Sequence, residues 1–288
     1  SGTFGAGTGA VLFEASDVGN TLTGTMTGSS KFNNIAFNNA DGAWSFGSNS
    51  AEVGGNFSIG AGSVTAPSTN LTIAGDFINT PSTPTSFVHN SGTVILNTTG
   101  KSELIGDTTF NNFTVATGNK NVLFESGDTF RFNGLLTLTG SAHDSMVKID
   151  STKGGHGEWF INHQGTESIA YVELDNSGCD VTSTNISMGA TSKDGSKNDK
   201  DCWIFPYVNR GGGGGDAGGE VSAPPGDPVG GGGEGGGGPG AGGEGQGGGG
   251  NPEEGGGSGG GGGDTGFLFS KTRFLALLFN PFKTLLFF

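Results

Sequence analysis

Through residues 1–210 the apolar positions come in short runs that alternate with polar ones at period two. Thr93-Val94-Ile95-Leu96, Asn112-Phe113-Thr114-Val115 and Leu135-Leu136-Thr137-Leu138-Thr139 are examples. Val, Ile, Phe and Thr fill these runs, while Gly, Asn and Asp bound them, as expected of short β-strands between tight corners. No window ahead of the C-terminal tail carries an apolar stripe of helical period. The pattern therefore predicts an all-β chain with very little helix.

The pattern also repeats on a longer scale. Lys31-Phe32-Asn33-Asn34-Ile35-Ala36-Phe37 matches Thr109-Phe110-Asn111-Asn112-Phe113-Thr114-Val115 at an offset of 78 positions. Trp44-Ser45-Phe46 falls on Val122-Leu123-Phe124 at the same offset, and Gly55-Asn56-Phe57 parallels Gly134-Leu135-Leu136 after a slip of one. Upstream, Gly9-Ala10-Val11-Leu12-Phe13 corresponds to Gly92-Thr93-Val94-Ile95-Leu96 with a short insertion in the first copy. Such self-similarity is the mark of a repeat architecture.

Two all-β architectures compete. A sandwich needs hairpin turns between antiparallel neighbours, and the dipeptides that make them are scarce here. A parallel β-helix needs corners at which a residue takes positive φ, where Gly and Asn pay least. Asn33-Asn34, Asn38-Asn39, Asn111-Asn112 and Gly118-Asn119 are placed for such corners. Strands about seven to twelve residues apart give about three strands per coil of ~20–25 residues, and eight or nine coils in all. The expected fold is a right-handed parallel β-helix, that is, a β-solenoid. Cys202-Trp203-Ile204-Phe205-Pro206 reads as its last strand, closed by proline, whereas the opening residues read as continuing repeat, as in a fragment of a longer rod.

From Asn70-Leu71-Thr72-Ile73-Ala74-Gly75-Asp76-Phe77 to Pro206 the chain resembles repetitive, adhesin-like parallel β-helix proteins of bacterial cell surfaces. Phe110-Asn111-Asn112-Phe113-Thr114-Val115 and Leu135-Leu136-Thr137-Leu138-Thr139-Gly140 carry the resemblance. So do Trp159-Phe160-Ile161-Asn162 and Ile169-Ala170-Tyr171-Val172-Glu173-Leu174, which look like terminal coils of that group. The resemblance implies display outside the cell and brings no catalytic motif with it.

Composition divides the chain into three. Residues 1–210 form the solenoid, with 10 basic and 19 acidic residues. Residues 211–266 hold more than half of the 61 glycines, eight acids and no base. That segment buries too little apolar surface to offset its ordering entropy, so the sequence predicts a disordered, acidic, Gly-rich linker. Residues 267–288 form a hydrophobic, basic tail with Lys271, Arg273 and Lys283. The tail is too short and too interrupted to span a bilayer; contact with a membrane interface, docking on a partner, or a truncated or misread C-terminus are the readings it leaves. The net charge of −14 argues against nucleic acid as a partner, since phosphate recognition needs clustered Lys and Arg. Cys179 and Cys202 are too few for a disulfide framework, and either one bridge or two free thiols fits them.

Candidate chemistry is sparse. Glu125, Asp128 and Arg131 are the one grouping suited to a polysaccharide lyase or hydrolase, against an ordinary solvated face with incidental ion pairs. His156, Glu158 and His163 have metal-ligand types, yet strand parity sends Glu158 and His163 to opposite faces. The acidic loop from Asp194 to Asp201, with Asp175 and Asp180 upstream, gives weak grounds for calcium and matches no full calcium-loop spacing. Asn56, Asn70, Asn97, Asn112 and Asn185 each head an Asn-x-Ser/Thr triplet, which a chain rich in Asn and Thr produces by chance. The expectation is no catalytic, cofactor or metal site. The chain reads as an extracellular structural or adhesive module that meets surface carbohydrate or protein through outward Thr, Ser and Asn. A carbohydrate-active β-helix enzyme and a fibre or appendage subunit are the alternatives.

Overall fold

The alternating runs wind into a three-sided coil in which every strand lies parallel to its counterpart in the coils above and below. The computed structural model describes residues 5–195, 198, 202–206 and 284–287. The β-solenoid makes about eight turns. Its first side stacks Ala10–Phe13, the opening halves of Asn34–Ser45 and Phe57–Thr65, then Phe77–Asn79, Gly100–Ile105, Lys120–Phe124, Val147–Ser151, Val172–Leu174 and Lys193–Asp194. On the second side, Thr108–Phe110, Thr129–Phe132, Trp159–His163 and Ser177–Cys179 stack in turn. The third side carries Ala51–Val53, Asn70–Ile73, Thr93–Leu96, Asn112–Val115, Leu135–Thr139 and Thr166–Ala170. In the early coils two long strands bend across the corner between the first and second sides, with register shifts at Phe37/Asn38 and Asn38/Ala43. The only helices among the described residues are two single 3-10 turns, Gly28–Ser30 and Gly154–His156.

Alternation puts every second residue inside, and the inward residues are stacked aromatics. Phe57 lies over Phe77 with ring centroids 5.5 Å apart, Phe110 over Phe132 at 5.7 Å, and Phe124 against Trp159 at 4.1 Å. Phe37, Phe57, Phe77, Phe110, Phe113, Phe130 and Phe132 are all fully buried. Each such ring stabilises the fold by roughly 1.5–3 kcal/mol through burial. Stacking then adds the offset and edge contacts that aromatic quadrupoles favour.

The corners work differently from the sequence expectation. Of the asparagines placed at corners, Asn119 alone takes positive φ, at 59°. Asn33, Asn34, Asn39, Asn111 and Asn112 brace coils through their side chains. Asn34 Oδ1 accepts the Asn56 amide at 2.8 Å, Asn56 Oδ1 accepts that of Asp76 at 2.9 Å, and Asp76 Oδ1 accepts that of Glu103 at 2.9 Å. In the other direction, Asn33 Nδ2 donates to the Thr8 carbonyl and Asn111 Nδ2 to that of Ser91. A corner leaves backbone groups outside the ladders, and these carboxamides satisfy them from the neighbouring coil.

The two copies of the 78-residue motif keep these local roles but occupy different sides. Ile35 and Phe37 lie on the first side, whereas Phe113 and Val115 lie on the third. Trp44 falls on the second side and its counterpart Val122 on the first. The offset thus advances eleven sides, one short of four turns. The motif specifies a strand–Asn-Asn–strand corner, and any of the three corners accepts it.

At the C-terminal end Trp203–Ile204 pairs with Ile186–Ser187, and a disulfide joins Cys179 to Cys202. At the other end Thr284–Phe287 adds a parallel strand along Asn20–Gly24. The expectations for the Gly-rich segment and the rest of the tail fall outside the described residues.

Candidate functional site

The structure brings Glu125 and Asp128 together at the corner between the first and second sides, and it does so around a backbone amide from the coil before. Gly106 N–H donates to Glu125 Oε2 at 3.0 Å and to Asp128 Oδ2 at 2.9 Å. Asp107 stands beside them, its Oδ1 accepting the Thr129 amide at 2.6 Å. A second carboxyl group converging on the same N–H makes the charged form of Asp128 less favourable. Burial, a hydrogen bond to Glu125 and the charges of Glu125 and Asp107 push Asp128 up to about 7. Asp128 therefore keeps its proton in part near neutrality.

Arg131 does not join them. It points outward from the second side, its Nε donates to Asn133 Oδ1 at 2.7 Å, and its charge acts on Asp180, two coils further along the same side. Hydrogen bonds from the Thr182 hydroxyl and amide hold Asp180 below the usual carboxylate range, with Arg131 adding to them. The three residues grouped by sequence are thus divided between a corner and a flat face. A glycosidase needs two carboxyl groups on either side of a bond with room for substrate between them. Glu125 and Asp128 instead converge on one backbone N–H at a corner, with no such room between them.

The Asp128 proton gives a pH dependence of defined sign. A carboxyl whose folded pKa is raised binds more protons folded than unfolded, so its contribution is greatest below about 4 and declines as pH rises towards 7. Because the group is largely open to solvent, screening limits the effect to on the order of 1 kcal/mol. Urea unfolding of the wild type and Asp128→Asn at about pH 4.5 and 7.5 measures it. The wild type is expected to lose about 1 kcal/mol more than the variant over that interval.

The other sequence candidates scatter. His156 and Glu158 are exposed, whereas His163 points inward beside Trp159 and Ile161 and is 1 % exposed. Its Nδ1 lies 3.0 Å from Thr184 Oγ1 and its Nε2 3.9 Å from the Glu167 carboxylate. Asp194 stacks on the first side over the Leu174–Asp175 stretch, while Asp180 follows Cys179 on the second side; Asp199 and Asp201 of the acidic loop lie outside the described residues. Among the described residues no group of three His, Cys, Asp or Glu is arranged to hold a metal. Of the Asn-x-Ser/Thr asparagines, Asn56 and Asn112 use their carboxamides as corner braces, and Asn70, Asn97 and Asn185 are exposed.

Sequence reasoning missed Lys120. It lies in phase with Val122 and Phe124, so alternation turns it into the core, where it is fully buried. Its Nζ donates to Ser102 Oγ at 2.7 Å and lies 3.4 Å from Thr98 Oγ1. Desolvation lowers its pKa, partly offset by the charge of Asp76. The signal was in the sequence as a lysine at an inward position.

Charge is unevenly distributed over the three sides. On the first side Lys101 pairs with Glu103 at 2.6 Å, and Glu173 bridges Lys148 and Lys193 at 3.3 and 2.6 Å. The third side presents two outward columns. Glu52, Thr72, Ile95, Thr114, Thr137 and Ser168 form one, and Asn70, Thr93, Asn112, Leu135 and Thr166 the other. Glu52 is the one charge, at the first rung; from Thr72 and Asn70 onward neither column holds a charge or an aromatic ring. A shallow groove of about 470 Å³ crosses the early coils, lined by Gly42, Gly60, Gly62, Thr80 and Pro81, with Asp41 as its one ionisable group.

No protein-family model, curated protein or solved structure matches the chain.

Proposed function

We propose that the solenoid is an extracellular or cell-surface module with a structural or adhesive role and no catalytic activity. One observation carries the reading: from Asn70 to Ser168 the third side gathers hydroxyl, carboxamide and methyl groups into two uncharged columns on a chain of net charge −14. With neighbouring strands about 4.8 Å apart, such columns offer a repeating set of neutral hydrogen-bond donors and acceptors. They suit a neutral, repetitive partner such as surface polysaccharide better than an ionic one. The resemblance to adhesin-like β-helices points the same way. The division of Glu125 and Asp128 from Arg131 weighs against the hydrolase alternative.

The test is binding of the full chain to insoluble neutral polysaccharides at low and high salt. Retention is expected to survive about 1 M salt, because charge screening acts weakly on neutral contacts. Thr114→Lys/Thr137→Lys, which charges the middle of the face without touching the core, is expected to weaken retention at least about tenfold, or roughly 1.4 kcal/mol. Retention unaffected by that pair sinks the assignment to this face, and release of new reducing ends from the polysaccharide sinks the non-catalytic reading.

A further inference from the structure

The last coils differ from the rest of the core. Six buried polar side-chain atoms lack a hydrogen-bond partner among the described residues, and five lie between positions 159 and 203. They are Trp159 Nε1, His163 Nε2, Asn176 Oδ1, Ser177 Oγ and Trp203 Nε1. Unpartnered buried groups are costly, so this end of the solenoid is the least favourable to close. The ladder is also short here: Ile186–Ser187 and Trp203–Ile204 pair over two residues.

Two features hold the end shut. Ser177 stacks directly on Trp159, and its small side chain leaves room through which Trp203 comes within 6.3 Å of the Trp159 ring, edge to face. The backbone there adds bonds from Ile186 N–H to the Cys202 carbonyl at 2.7 Å and from Met188 N–H to the Ile204 carbonyl at 3.0 Å. The second feature is covalent. The disulfide ties Cys202, next to Trp203, to Cys179 at the end of the second-side strand, with Cα atoms 6.1 Å apart. Cys202 is buried, but Cys179 is only partly so and can be reached from solvent.

We propose that residues 202–206 form a redox-held plug over the C-terminal end of the solenoid, which reduction of Cys179–Cys202 unseats while the coils up to Leu174 stay folded. In the reducing step a thiolate of a small dithiol attacks Sγ of Cys179. The Cys179–Cys202 bond breaks, and Cys202 leaves as a thiolate and takes up a proton. The second thiolate of the reductant then displaces Cys179 and closes its own disulfide. Two electrons pass to the protein, and the reductant is oxidised. Release frees the backbone groups of Ile186–Ser187, an edge open to strand addition.

Amide hydrogen exchange of the full chain with and without a dithiol reductant tests the plug. The amides of Ile186 and Met188 are expected to exchange about 100-fold faster after reduction, as a loop of this length opens once its crosslink is gone. Those of Phe113, Val122 and Leu138 are expected to keep their protection. Cys179→Ala/Cys202→Ala is expected to reproduce the reduced pattern without reductant, with tryptophan emission shifted to the red as Trp203 meets water. Unchanged exchange at Ile186 and Met188 shows that packing alone seats the plug and overturns the proposal. So does loss of protection throughout the solenoid, which makes the bridge a support of the whole fold.

Discussion

Phe110→Ala is expected to destabilise the solenoid by about 3–5 kcal/mol, the cost of deleting a fully buried aromatic whose surroundings relax only in part. Phe110 is fully buried and touches four rings, with centroid distances of 5.3 Å to Phe77, 5.7 Å to Phe87, 5.1 Å to Phe113 and 5.7 Å to Phe132. These partners come from its own coil and from both neighbours. A void here therefore interrupts the aromatic stack in mid-column, where each coil depends on the one beside it. Phe110→Leu, which retains most of the volume, is expected to cost less than half as much. Urea unfolding of the two variants decides the matter, and equal costs mean that stacking rather than filled volume dominates.

The second large effect is expected at Gly106. Its φ is +85°, and a Cβ there collides with the Asn79 carbonyl of the preceding coil. Backbone cannot move aside as a flexible side chain can, so Gly106→Ala combines left-handed strain with steric overlap and is expected to cost about 2–4 kcal/mol. Gly127→Ala separates the two causes. Gly127 has φ +95° but nothing within 4 Å of a Cβ, so strain alone applies and about 1 kcal/mol is expected. If both variants lose the same stability, the close approach of Gly106 to Asn79 is not what demands glycine. Gly106→Ala also shifts the amide that Glu125 and Asp128 share, so the pH dependence assigned to Asp128 is expected to weaken with it.

The parts of this fold that were legible in the sequence are those set by neighbours in the chain. Period-two alternation fits the inward Val94, Leu96, Phe113, Val115, Leu136 and Leu138, and strand parity separated His163 from Glu158, though a surface or corner place was expected for His163, which is buried. Contacts between coils were not legible, because they join residues about twenty positions apart whose register depends on each turn's length. Glu125 and Asp128 meet at Gly106 only because one coil sits over another, and nothing local marks Arg131 as turned away. Asparagine at the corners was read for its tolerance of positive φ. The structure uses it chiefly for a side chain long enough to reach the next rung, a distinction that composition does not carry.

The one-side slip between the two copies of the 78-residue motif has a consequence for how such a chain grows. Each added copy of that length turns its pattern by a third of the circumference, so successive copies aim the same outward residues in three directions before the first direction recurs. A unit one strand longer would restack like on like and extend a single face. Tandem copying of the present unit instead spreads a pattern around the perimeter, and a continuous binding strip must be assembled by point substitution within coils, as the mixed Thr, Asn, Ile and Leu composition of the third side illustrates.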